Sequence, residues 1–127
     1  MAKEFDSVRS MIETLKPSYP VYCLRPDIIN QAAGRFLEQF PGRVLYAVKC
    51  NPHPEVLRAL HKGGIRHFDT ASLPEIAQVR ESFPDAACYF MHPVKGRAVI
   101  NTAAKVYEID TYIIDHPSEL NKILQEL

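Results

Sequence analysis

From Arg43 onward the sequence repeats one unit: an apolar run, a polar turn, then apolar residues at helical spacing. Val44-Leu45-Tyr46-Ala47-Val48 leads to Val56, Leu57 and Leu60, and Ile65-Arg66-His67-Phe68 leads to Ile76 and Val79. Ala87-Cys88-Tyr89-Phe90-Met91 leads to Val99, Ile100, Ala103 and Ala104, and Tyr112-Ile113-Ile114 leads to Leu120, Ile123 and Leu124. Parallel strands need crossover helices, and those helices cover the sheet, so the strands read as near-continuous apolar runs. Four βα units therefore predict an α/β fold with a parallel sheet and right-handed crossovers. The strands end in Lys49, Asp69, His92 and Asp115, which places a lysine, two carboxylates and an imidazole on one rim. In a (β/α)8 barrel that rim is the active-site face, and in an open doubly wound sheet ligands bind on the same side.

Upstream, Val8, Met11, Ile12 and Leu15 are spaced for a short amphipathic helix that stops before Pro17. Pro20-Val21-Tyr22-Cys23-Leu24 reads as a strand, and Ile28, Ala32, Ala33, Phe36 and Leu37 mark one face of the helix after it. The chain thus divides into a helical extension over 1–19 and a βα body over 20–127. Ser72-Leu73-Pro74-Glu75 has the form of a capping box, Pro54 and Pro117 suit first-turn positions, and Gly63-Gly64 suits a helix end.

The balance of 15 basic and 15 acidic residues, spread along the chain, leaves no electrostatic footprint for nucleic acid or an anionic membrane. A small-molecule partner is the expectation that remains. The start lacks the basic-then-apolar layout of a signal peptide, and no apolar run is long enough to span a bilayer, so a cytoplasmic protein is expected. Cys23, Cys50 and Cys88 form no metal or disulfide pattern and read as reduced, buried filler. The histidines show no ligand spacing, so no metal site is expected.

Each rim residue has a chemical and a structural reading. Lys49 ends an apolar strand, where desolvation would favour the neutral amine that adds to an aldehyde. The alternatives are a lysine reaching back to solvent or one paired with Asp69. Asp69 is a counter-charge or cofactor contact, or else a turn residue capping a helix. Glu75 is explained by the capping box. His92 is a general acid, a ring-stacking group or a surface turn residue, while Asp115 and His116 read as turn and cap residues.

Tyr46-Ala47-Val48-Lys49-Cys50-Asn51, Phe68-Asp69-Thr70-Ala71-Ser72 with Glu75-Ile76, and His92-Pro93-Val94-Lys95 together resemble the ornithine decarboxylase group of the alanine-racemase-like, fold type III pyridoxal-phosphate enzymes. The resemblance runs from about Pro20 to the C-terminus. It implies a (β/α)8 barrel of which this chain supplies four units, about half. It also implies that Lys49 carries pyridoxal 5'-phosphate as a Schiff base and that Asp69 lies near the cofactor. Glu75 matches a family acid, and His92 and Lys95 fall in a segment that often reads Asn-Pro-x-Lys. Thr70 replaces the usual cysteine and His92 the usual asparagine.

The implied activity is decarboxylation of a basic amino acid. Ornithine to putrescine, a step of polyamine biosynthesis, is the first choice, with lysine, arginine or diaminopimelate as alternatives. A non-catalytic decarboxylase-like binding homologue is the other class of function. Family members work as homodimers, and this chain by itself is expected to be inactive, as an N-terminal part of such an enzyme.

Overall fold

The computed structural model describes residues 3–127, so Met1 and Ala2, where the expected 1–19 extension begins, lie outside the described residues. The order of elements is α1 (Val8–Leu15), α2 (Pro26–Gln39), β1 (Tyr46–Ala47), a 3-10 turn (Val48–Cys50), α3 (Pro54–Lys62), β2 (His67–Thr70), α4 (Leu73–Ser82), β3 (Ala87–Phe90), α5 (Arg97–Tyr107) and α6 (Pro117–Glu126). The strands pair in parallel in the order β1-β2-β3. The sheet remains open among the described residues, with the fourth expected strand reduced to a single parallel bridge between Phe90 and Tyr112.

Two other strand expectations are corrected. Residues 20–24 form no strand: they are exposed and no neighbouring strand offers them a ladder. An isolated extended segment has nothing to satisfy its backbone groups except water. In the first unit only Tyr46–Ala47 pair, because the chain turns at Val48, which is buried, into the 3-10 turn that carries Lys49. The expected amphipathic helix near the start is present. Ser7 and Ser10 cap it reciprocally, and it buries Met11 while leaving Val8, Ile12 and Leu15 exposed.

Strand alternation decides what faces the helices. In β2, Phe68 and Thr70 are buried while His67 and Asp69 are only half-buried on the opposite face. β3 repeats this, with Cys88 and Phe90 buried and Ala87 and Tyr89 half-buried. The core lies between the sheet and α3, α4 and α5 and includes Leu57, Phe68, Ile76, Val79, Phe90 and Ala103. Phe68 stacks on Phe83 at 5.8 Å between ring centres and meets the Tyr46 ring edge-on at 6.5 Å. Each such aromatic side chain contributes about 1.5–3 kcal/mol by burial.

Helix ends follow the expected chemistry in part. Pro54 and Pro117 occupy first-turn positions, and the residues before them, His53 and His116, cap α3 and α6 through ring nitrogens that accept from Glu55 N and Ser118 N. His92 accepts from Val94 N in the same way, at 3.2 Å. Sequence reasoning offered turn roles for His92 and His116 but did not single out His53, although the His-Pro dipeptide recurs there. Of the cysteines only Cys88 is buried; burial pushes its thiol up to about 11. Cys23 and Cys50 are exposed, which corrects the expectation for those two.

α3 closes as expected at Gly63-Gly64, with Gly64 at φ +104 and Ile65 N donating to Leu60 O at 3.1 Å. Gly63 answers to a second constraint. A Cβ there would lie 2.7 Å from Asn30 O and 2.8 Å from the Ala33 side chain, against α2. Because the blocking atom is backbone, Gly63→Ala should push α2 from α3 and cost about 1–3 kcal/mol, measurable as a lower unfolding midpoint in urea.

Candidate active site

The carboxyl ends of the strands form one rim. Ala47, Asp69 and Tyr89 are Cα partners in consecutive strands and so form a row across the face turned away from the helices. Lys49 stands two residues beyond Ala47, on the turn that ends β1. Lys49 and Asp69 thus occupy the ends of adjacent strands.

They are not paired. None of the ion pairs among the described residues involves Lys49 or Asp69. Lys49 is exposed, so the packing of this chain does not supply the desolvation expected for it, and its amine is accessible. Asp69 lies within β2, half-buried on the helix-free face, which removes the turn or cap reading.

Glu75 also departs from the simple box. Its Oε2 accepts from Ala71 N at 2.8 Å, one residue earlier than the cap, and the Ser72 side chain makes no capping bond. The carboxylate clamps the loop that follows Asp69-Thr70. His92 is exposed and turns its Nδ1 to its own loop. Asp115 is exposed beside the capping His116, the turn and cap roles expected for this pair.

A polar chain on the same face was missed. Arg43 Nη1 donates to the Tyr89 hydroxyl at 3.2 Å, and that hydroxyl lies 3.0 Å from His67 Nδ1. Burial, with the nearby Arg43 charge, holds His67 below the ordinary imidazole value. The signal was available, since His67 and Tyr89 alternate with the buried Phe68 and Phe90. Also missed was a buried carboxylate, Glu119 on α6, joined to Lys95 in the loop after β3. No cluster of three or more ligating side chains suited to a metal ion occurs among the described residues, and no described helix is long and apolar enough to cross a membrane.

Residues 26–127 match the family described as pyridoxal-dependent decarboxylase, pyridoxal binding domain. The chain is 37% identical over 81 residues to the lysine/ornithine decarboxylase of Selenomonas ruminantium, covering 63% of this chain and 20% of that protein. It is 39% identical over 82 residues to the ornithine decarboxylase of Schizosaccharomyces pombe, covering 63% of this chain and 18% of that one. Among solved structures it is similar to the Paramecium bursaria Chlorella virus arginine decarboxylase bound to agmatine, with a TM-score of 0.82 and 27% identity over 94% of this chain and 32% of that chain. The matches span about a fifth of these curated relatives and about a third of the solved one. The open parallel sheet corresponds to the N-terminal portion of the barrel in such structures.

Proposed function

We propose, because this chain belongs to the pyridoxal-dependent decarboxylases and matches their pyridoxal binding domain, that the intact protein removes the α-carboxylate of a basic amino acid. Ornithine, giving putrescine, is the substrate we favour, as in the relative from Schizosaccharomyces pombe, which is described as an ornithine decarboxylase. The observation that carries the reading is the accessible, unpaired Lys49 amine at the end of β1, with the Asp69 carboxylate at the end of the adjacent strand.

The donor set fits pyridoxal phosphate. An aldehyde needs a primary amine it can reach, and Lys49 supplies one that no carboxylate among the described residues holds in an ion pair. The bound cofactor supplies an electron sink for the carbanion left when carboxylate departs. Lys49 would hold the cofactor through its amine. Asp69 sets a negative charge beside it on the sheet face. Glu75 keeps the loop after Asp69 in place through Ala71 N, and His92 offers an imidazole at the same rim. In this reading residues 20–127 supply half of a barrel and 1–19 a helical extension. The intact protein acts as a cytoplasmic homodimer in polyamine biosynthesis.

Borohydride reduction of the intact protein in the presence of pyridoxal phosphate, followed by peptide mapping, is expected to label Lys49. Label on another lysine overturns the assignment of Lys49, and absence of label leaves a non-catalytic binding relative. Among ornithine, lysine, arginine and diaminopimelate, ornithine should show the highest kcat/KM.

A further inference from the structure

The backbone ladder between β3 and the fourth strand segment has two bonds: Phe90 N donates to Thr111 O at 3.0 Å and Ile113 N to Phe90 O at 3.1 Å. A parallel ladder continued by one step would use Ile113 O and His92 O as its next acceptors. Among the described residues no backbone N–H reaches either one. The Lys95 ammonium does: Nζ donates to His92 O at 2.8 Å and to Ile113 O at 2.8 Å. Its side chain is fully buried, 5.6 Å from the centre of the Phe90 ring, with Pro93 O at 3.5 Å.

A buried ammonium needs a counter-charge and a partner for each of its three protons. Glu119 Oε1, 3.3 Å away, supplies the charge and the third acceptor, and it also takes the Lys95 amide at 3.0 Å. Lys122 pairs with the other oxygen of Glu119. One side chain therefore joins the end of β3, the end of the fourth strand segment and the start of α6.

We propose that Lys95 is a positioning residue whose ammonium stands in for the missing rung of the sheet and thereby sets the loops carrying His92 and Asp115 on the rim that also carries Lys49 and Asp69. The structural half of this stands on the geometry alone, and the half that concerns the cofactor rests on the reading of the rim given above. A rung acts locally, whereas a general stabiliser acts on every amide through global unfolding.

The test is the triple variant Lys95→Met, Glu119→Gln, Lys122→Met, which removes the buried pair together with the second lysine that Glu119 holds. In the intact protein, hydrogen exchange at Ile113 and Val94 should accelerate at least tenfold while exchange at Phe68 and Ile100 stays unchanged. The dissociation constant for pyridoxal phosphate, followed by the visible absorbance of the bound cofactor, should rise at least tenfold. Unchanged exchange at Ile113 overturns the rung. Accelerated exchange with unaltered cofactor affinity overturns the positioning of the rim. Failure to label Lys49 in the unaltered protein overturns the cofactor reading, while the exchange data still decide the rung.

Discussion

Glu119→Ala should cost about 3–5 kcal/mol at neutral pH, the range expected when one partner of a buried ion pair is removed and the other charge stays behind. Lys95, fully buried, would keep its carbonyl partners but lose its one counter-charge among the described residues, and the Lys95 amide would lose its acceptor. The pH dependence has a defined sign. Burial opposes the charged carboxylate, but the hydrogen bonds from Lys122 and Lys95 outweigh it, and Glu119 sits below the ordinary glutamate value. A carboxylate depressed in the folded state contributes stability above its unfolded value, about 4.3, and that contribution disappears as pH falls through the folded value. Urea unfolding at pH 7 and at pH 3 should therefore show a large penalty for Glu119→Ala at the higher pH and a smaller one at the lower. A loss under about 1 kcal/mol at pH 7 would mean that solvent reaches Lys95.

Phe68→Ala should be as severe, about 3–5 kcal/mol, by the cavity it opens in the core. Its ring has no exposed surface and lies between those of Phe83 and Tyr46, so no neighbour is free to fill the gap. The damage should spread along the register. β1 pairs only through Tyr46 and Ala47, and Tyr46 is opposite Phe68, so the turn holding Lys49 depends on that contact. Denaturant unfolding would measure the loss. Ile12→Ala on the exposed face of α1 is the control and should stay within about 0.5 kcal/mol.

The parts of this fold legible in the sequence are those written in local chemistry. The helices after each apolar run, the first-turn prolines and the Gly63-Gly64 stop all depend on residues near one another in the chain. What failed depended on partners far away. Residues 20–24 have the composition of a strand, but composition does not say whether another strand is there to pair with. Tyr112-Ile113-Ile114 read as a full strand, yet its ladder gives way to a lysine side chain after one bridge.

The candidate site shows the same division. Lys49 and Asp69 were singled out because they end apolar runs and fall in the motifs that resemble the decarboxylases, and the register sets them on adjacent strand ends. Arg43, His67 and Tyr89 were passed over because they lie within or beside the runs themselves. Glu119 was missed because a carboxylate in the first turn of an amphipathic helix reads as solvated. Only its distance from Lys95, 24 positions away in sequence, reveals otherwise.

The three His-Pro turns constrain the tautomers of their own rings. A backbone N–H can only donate, so the Nδ1 atoms of His53, His92 and His116 must each carry a lone pair rather than a proton. In the neutral rings the proton then resides on Nε2, the same tautomer at all three turns. The loops after β1, after β3 and after the fourth strand segment are thus each closed by an imidazole nitrogen. Aspartate, the commoner residue for such a turn, would have put an anion at each of those places.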